Sequence, residues 1–438
     1  MTTGGLPQNR DVWRIAAPMI LSNITVPLLG MVDTGVTGHL DSPAYLGAVA
    51  IGGTIFGFLY MGLNFLRLGT CGISAQRYGA KDYDGLRVTL GQAIVVAILL
   101  AITLIALQVP IGNLSFYLIG ADPVTTSYAL EYFSIRIWSA PATLATYVLL
   151  GWFIGLQNAR VPLMIVVTVN SINIVLDLLF VLVLGMKVDG VALASVIAEY
   201  AGLLVGIGFV ILTLREHPGH WVTATLVNVR EYAAFLAVNG HLFVRTMALM
   251  FTFAFVTAQG ARLGGLFLAA NAILINIQFL TAFALDGFAH AAEAMVGKAI
   301  GEKRRDALQR AVKLTLRWSL IFAVGFFVLY IALGPVLIRL LTDLPEVRET
   351  ALRYLPWLVV SPLVSVWSFL YDGVYVGATR AREMRDIMVF STLIIFLPAW
   401  YFLQGLGNDG LWLAFTLFMA SRGIGMHMMY RTRVLPSI

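Results

Sequence analysis

Cysteine occurs once in the 438 residues, at Cys71, so an intrachain disulfide and a cysteine-based metal cluster are both excluded by count. Charge is scarce too. Asp, Glu, Lys and Arg make up 12% of the chain, against about 25% in an average soluble domain, which leaves too few polar groups to cover a water-facing surface. The 6 histidines form no HExxH pattern, and there is no G-x-S-x-G nucleophile elbow, so an enzyme is not expected. Apolar residues, in contrast, reach 59%, with a mean hydropathy of +0.85. Since a spanning helix needs about 20 apolar residues, the chain can cross a bilayer about a dozen times. The net charge of +6 (29 − 23) then acts as an orientation signal, not a nucleic-acid footprint.

Apolar runs near 13–36, 46–70, 88–108, 129–153, 162–184, 191–213, 232–258, 267–292, 314–337, 350–375, 385–404 and 410–430 predict twelve membrane helices. The first run contains Asp33 and lacks a small-residue cleavage site, so it is read as helix 1, not as a cleaved signal peptide. Of the 29 Lys and Arg, twenty fall in one set of alternate loops and five in the other, with four inside or at the edges of helices. The positive-inside rule therefore predicts a multi-pass protein of the inner (plasma) membrane with both termini cytoplasmic.

At a shift of 222 residues, Gly79, Lys81, Gly155, Ala159 and Arg160 pair with Gly301, Lys303, Gly377, Ala381 and Arg382. After a two-residue deletion, Gly185, Asp189-Gly190 and Leu193-Ala194 pair with Gly405, Asp409-Gly410 and Leu413-Ala414. Such pairing indicates a duplication. Six helices per half, an even number, gives both repeats one orientation, related by an axis along the membrane normal. The expected fold is an all-α membrane protein of 12 transmembrane helices in two six-helix bundles facing a central cleft, the architecture of a transporter. The amino-terminal lobe is expected over 1–213, a cytoplasmic linker with Pro218 and Gly219 over 214–231, and the carboxyl-terminal lobe over 232–438.

An ionisable side chain at bilayer depth costs several kcal/mol unless paired or wet, so each one suggests function. At 1.5 Å per residue, Asp33 lies about 30 Å along helix 1 from Trp13, and Asn173 and Asp177 about 16 and 22 Å along helix 5. Ser195 lies about 7 Å down helix 6 from the outside, so the four share a similar depth. Asn173 and Asp177 are spaced i, i+4 and face the same way. Two carboxylates sharing a dry pocket repel one another, which suits Asp33 and Asp177 to carrying a proton. The same oxygens could ligate sodium, and Asn173 and Ser195 could serve only to bond neighbouring helices. Pro18 and Pro27 remove backbone donors from helix 1, with Pro27 as the expected hinge. The second half does not repeat this cluster: Asp33 pairs with Phe255 and Asn173 with Ile395. It carries His241 and Arg245 on helix 7 and Asp286, His290 and Glu293 on helix 8, read as a substrate contact or a charge-compensated network such as Arg245 with Asp286. Further candidates are Glu131 and Arg136 in helix 4, Glu199 in helix 6 and Asp372 in helix 10.

The stretches NITVPLLGMVDTGVTGHLDSPAYLGAVAIG from Asn23, SAQRYGAKD from Ser74, GLQNARVPL from Gly155, NSINIVLD from Asn170 and DGVALASVIAEY from Asp189 resemble the multidrug and toxic compound extrusion (MATE) transporters. ALDGFAHAAEAMVGKAIG from Ala284 and YDGVYVGATRAREMRD from Tyr371 resemble its DinF branch. The resemblance implies a cation-coupled multidrug efflux antiporter. It would export lipophilic, often cationic compounds by alternating access, in exchange for protons or alternatively sodium. It also implies an amino-lobe cation site of a helix 1 aspartate, an asparagine and aspartate on helix 5 and a hydroxyl on helix 6, matched here by Asp33, Asn173, Asp177 and Ser195. Family members can have threonine where this chain has Ser195. Protonation of Asp33 and bending of helix 1 would expel substrate. No cofactor and no structural metal is expected. The expected partners are lipophilic small molecules and the bilayer, the expected state is a monomer, and the expected phenotype is antibiotic resistance. A flippase for a lipid or lipid-linked precursor is the alternative.

Overall fold

A computed structural model describes the backbone of residues 5–38, 42–222, 225–226 and 228–437; the side chains of Val26, Leu28, Leu29, Met31, Asp33, Thr34, Glu231 and Ser437 lie outside the described set. Among the described residues there is no β-strand. The long helices are α1 (Asn9–Gly38), α2 (Pro43–Gly79), α3 (Tyr83–Ala106), α4 (Pro123–Gly155), α5 (Arg160–Val183) and α6 (Val188–Glu216), then α7 (Ala233–Leu263), α8 (Gly265–Gly301), α9 (Arg305–Leu341), α10 (Pro345–Gly377), α11 (Ala381–Leu406) and α12 (Asn408–Met429). By length and composition α2 to α11, ten helices among the described residues, can each cross a membrane, and α1 and α12 complete twelve. Several outrun their hydrophobic runs because the helix continues into polar residues, as α2 does through Gln76 and Arg77.

Local chemistry sets many of the helix starts. Ser42 and Asp122 accept hydrogen bonds from the first free N–H groups of α2 and α4, and each is followed by a proline, whose missing donor is harmless at that position. Asp82 caps α3 through Gly85 N at 2.9 Å and also pairs with Arg77 at the end of α2.

The chain divides into two compact units: Leu21–Phe235, and Met1–Ile20 together with Leu236–Ile438. The first part of α1 thus groups with the carboxyl-terminal residues. There Trp13 lies edge-on to Phe288 and Trp318, at 5.6 and 5.0 Å between ring centres, and Gly287 admits the Ala16 and Ile20 surface of α1.

The duplication is visible in atomic detail. Within the first unit α2 and α4 cross at Gly151 and Gly155, where a Cβ would overlap the carbonyl oxygens of Arg67 and Cys71. Within the second, α8 and α10 cross at Gly373 and Gly377 on the carbonyls of Ala289 and Glu293, each residue 222 positions on. The turns that follow these helices repeat as well. Lys81, Gln157, Lys303 and Thr379 all have φ between 53° and 65°, and each closes a helix with a 6→1 bond, such as Asn158 N to Phe153 O and Arg380 N to Tyr375 O, both 3.0 Å.

Candidate functional site

In the Leu21–Phe235 unit, α5 and α6 pack along their length and bring three polar side chains into one buried spot: Asn173, Asp177 and Ser195, at 1%, 0% and 5% exposure. The Asn173 amide satisfies its neighbours in one orientation: its nitrogen donates to Asp177 Oδ2 at 3.2 Å, and its oxygen accepts from Ser195 N and Oγ at 3.1 and 3.2 Å. Asparagine thus holds the carboxylate and the hydroxyl together. Asp177 is the last residue of regular α-helix in α5, and the wider π turn Leu178–Val183 begins directly after it, the kind of irregularity often found at functional sites.

Asp33, the fourth residue of the sequence-derived cluster, lies on α1, but its side chain is outside the described residues. The structure adds another link to α1. Asn170, one turn before Asn173 and 8% exposed, donates to Thr25 Oγ1 at 2.9 Å, and Thr25 in turn donates to Ser22 O at 2.7 Å. That tether sits two residues before Pro27. Sequence reasoning passed over Asn170 and Thr25, although the spacing 170, 173, 177 (i, i+3, i+7) places all three α5 residues on one helix face.

Arg136 and Glu199 belong to the same unit. The Arg136 guanidinium lies 5.5 Å from the Phe56 ring centre and 5.9 Å from that of Tyr132. Glu199 faces it electrostatically, while Tyr60 OH bonds Ser139 Oγ at 2.8 Å nearby.

The carboxyl-terminal candidates form a different network from the one expected. Arg245 pairs with Asp372 of α10, not with Asp286, and Asp372 also accepts from Arg422 Nη2 of α12 at 2.8 Å. Arg422, counted among the twenty loop charges although it falls within the predicted run 410–430, is 3% exposed inside α12. Asp286 lies close enough to act on the charge of Arg422. His241 Nδ1 accepts from Arg385 Nη1 at 3.0 Å, so His241 and Arg245, neighbours on α7, address different helices. His290 Nδ1 and Glu293 Oε2 are 3.4 Å apart on α8. Among the described residues no three His, Cys, Asp or Glu side chains come together as a metal centre.

The MatE family pattern matches residues 18–179 and 242–402. Over 431 residues, 97% of this chain and 92% of the relative, the sequence is 44% identical to DNA damage-inducible protein F of Escherichia coli (strain K12). It is 24% identical to the human Multidrug and toxin extrusion protein 1 over 407 residues, covering 91% of this chain and 70% of that one. Among solved structures, MATE in the bent conformation superimposes with a TM-score of 0.90 at 20% identity, covering 98% of this chain and 96% of the other.

Proposed function

The chain belongs to the MatE family of transporters, and from that premise we propose that it is a cation-coupled antiporter that exports lipophilic, often cationic compounds in exchange for protons. The observation that carries this reading is the buried Asn173–Asp177–Ser195 cluster, an acid held by an amide and a hydroxyl inside an apolar helix pair. An acid so placed is expensive unless its charge or its proton is used. Ionised, it accepts hydrogen bonds and attracts a cation; protonated, it donates and does neither well. Asp33 is assigned to the same site, and Pro27 supplies a place where α1 already lacks a backbone bond and can bend. The Asn170–Thr25 bond ties α5 to α1 just before that point, so a change at the cluster has a short path to the hinge. The relative named as a multidrug and toxin extrusion protein, and the similar fold solved in a bent conformation, agree with this reading.

Proteoliposomes containing the purified chain test it, with ethidium as probe and a proton or a sodium gradient imposed separately at fixed membrane potential. Transport driven by the proton gradient and lost in Asp33→Asn is the expected result. Drive by sodium alone would make the cluster a sodium site. Failure to move any of a panel of lipophilic cations, together with movement of a labelled lipid, would favour a flippase.

A further inference from the structure

The internal repeat provides a control for each polar group at a helix crossing, because the same crossing is built twice from different side chains. At the shifts that superpose the glycine crossings and the Asp-Gly turns, Arg136 corresponds to Leu358, Tyr147 to Phe369, Ser195 to Phe415 and Glu199 to Met419. Leu358, Phe415 and Met419 are all buried in the carboxyl-terminal unit, at 0%, 4% and 5% exposure. Phe415 and Met419 line a pocket there with Trp357, Ser361 and Thr416, with a free volume of about 10 Å³, room for about one water. At the positions that match Arg136, Ser195 and Glu199, the second unit thus carries apolar side chains. Arg136 and Glu199 are not needed to pack α4 against α6, and a charged pair away from water gains little stability over an apolar one.

Glu199 is also well placed. It follows Ser195 by four residues, so it sits on the same side of α6, about 6 Å further along the axis. That direction leads to the carboxyl end of α6, assigned above to the cytoplasm. Asp177, Asn173, Ser195 and Glu199 thus form a line of exchangeable groups, with Tyr60 and Tyr147 beside its lower end.

We propose that Glu199 is a second proton-carrying acid of the transport cycle, one helical turn to the cytoplasmic side of the Asn173–Asp177–Ser195 cluster, with Arg136 as its fixed countercharge. This rests on the proton-coupled reading given above. When Glu199 is ionised, the pair with Arg136 is neutral and the unit tolerates a bound organic cation. When Glu199 takes up a proton, Arg136 retains its charge between Phe56 and Tyr132, the local sum becomes +1, and a bound cation is repelled. The proton passes on to the cytoplasm when Glu199 ionises again. The charged and titratable groups facing Glu199 are Arg136 and Tyr147 from α4 and Tyr60 from α2, with Arg67 of α2 beside Tyr147.

The test measures ethidium binding and proton release by the purified full-length chain in weakly buffered detergent, for wild type, Glu199→Gln, Glu199→Met and Glu199→Asp. Each coupled proton changes affinity by up to about tenfold per pH unit. Both Glu199→Gln and Glu199→Met should release fewer protons per ethidium bound and show a flatter dependence of affinity on pH. Glu199→Asp should recover most of the release with its midpoint moved. Wild-type release and slope in Glu199→Gln would overturn the proposal. So would wild-type ethidium affinity at high pH in both Glu199→Gln and Glu199→Met, since each leaves Arg136 uncompensated and must weaken cation binding if the pair works as proposed. A wild-type protein that releases no protons at all would instead refute the proton-coupled reading itself, so the two failures are distinct.

Discussion

Asp177 has no exposed surface and shares the Asn173 amide with Ser195, so Asp177→Asn keeps the volume and removes only the charge and the proton. Proton-driven ethidium efflux from proteoliposomes should fall by about tenfold or more, since even one pKa unit of preference for one protonation state is worth that factor. The variant should elute from size exclusion as wild type does; unchanged efflux would remove Asp177 from the coupling path. The crossing glycines make a separate prediction. Gly151→Ala drives a Cβ into the Arg67 carbonyl, and Gly373→Ala does the same at Ala289, so each should lose about 1–3 kcal/mol and melt earlier in detergent. Gly53→Ala, with nothing near its added carbon, should be neutral or stabilising by up to about 1 kcal/mol. At this scale the sequence was informative where spacing along one helix settles the neighbours. Asn173 and Asp177 share a face by arithmetic, and Ser195 joins them by depth. The partner of Arg245 could not be read in this way, because Asp286, Asp372 and Arg422 stand on three different helices and only packing chooses among them.

Helix ends carry the clearest pH signature outside the membrane. Asp122, at the start of α4, is held below the usual carboxylate range first by the Thr125 hydroxyl and then by the N–H groups of Thr125 and Val124. A depressed folded value means that the stabilisation is present above the unfolded pKa, about 3.9, and is lost as pH falls through the lower folded one. Asp122→Ala should therefore melt earlier than wild type at neutral pH, and the gap should close in strongly acidic buffer. A gap independent of pH would mean that the cap acts through shape alone. Twelve helices were legible because length and apolarity are local properties. The π turns at Leu178–Val183 and Ser391–Phe396 were not, since no residue type marks a turn widened by its tertiary surroundings. Hydropathy carried the twelfth run past Arg422, to 430, but it could not show that the arginine is held there by Asp372 of α10.

For the whole molecule, moving Arg422 from loop to helix changes the charge split from twenty against five to nineteen against five (20 − 1), which leaves the orientation argument standing. A reporter fused after Arg433 should accordingly be active only in its cytoplasmic form, and a periplasmic signal would invert every depth assignment. The repeat was readable because glycines at a tight crossing and residues in left-handed turns leave few substitutes. The divergence of its chemistry, with Glu199 in one half and Met419 in the other, became meaningful only when the two helix crossings were seen to repeat around them. The grouping of residues 1–20 with the carboxyl-terminal half has a further consequence, one of timing. Trp13 emerges from the ribosome about 300 residues before Phe288, Trp318 and Phe322, at about 5–20 residues per second. For about tens of seconds the start of α1 waits for the rings it packs against, so this contact is among the last that synthesis makes possible.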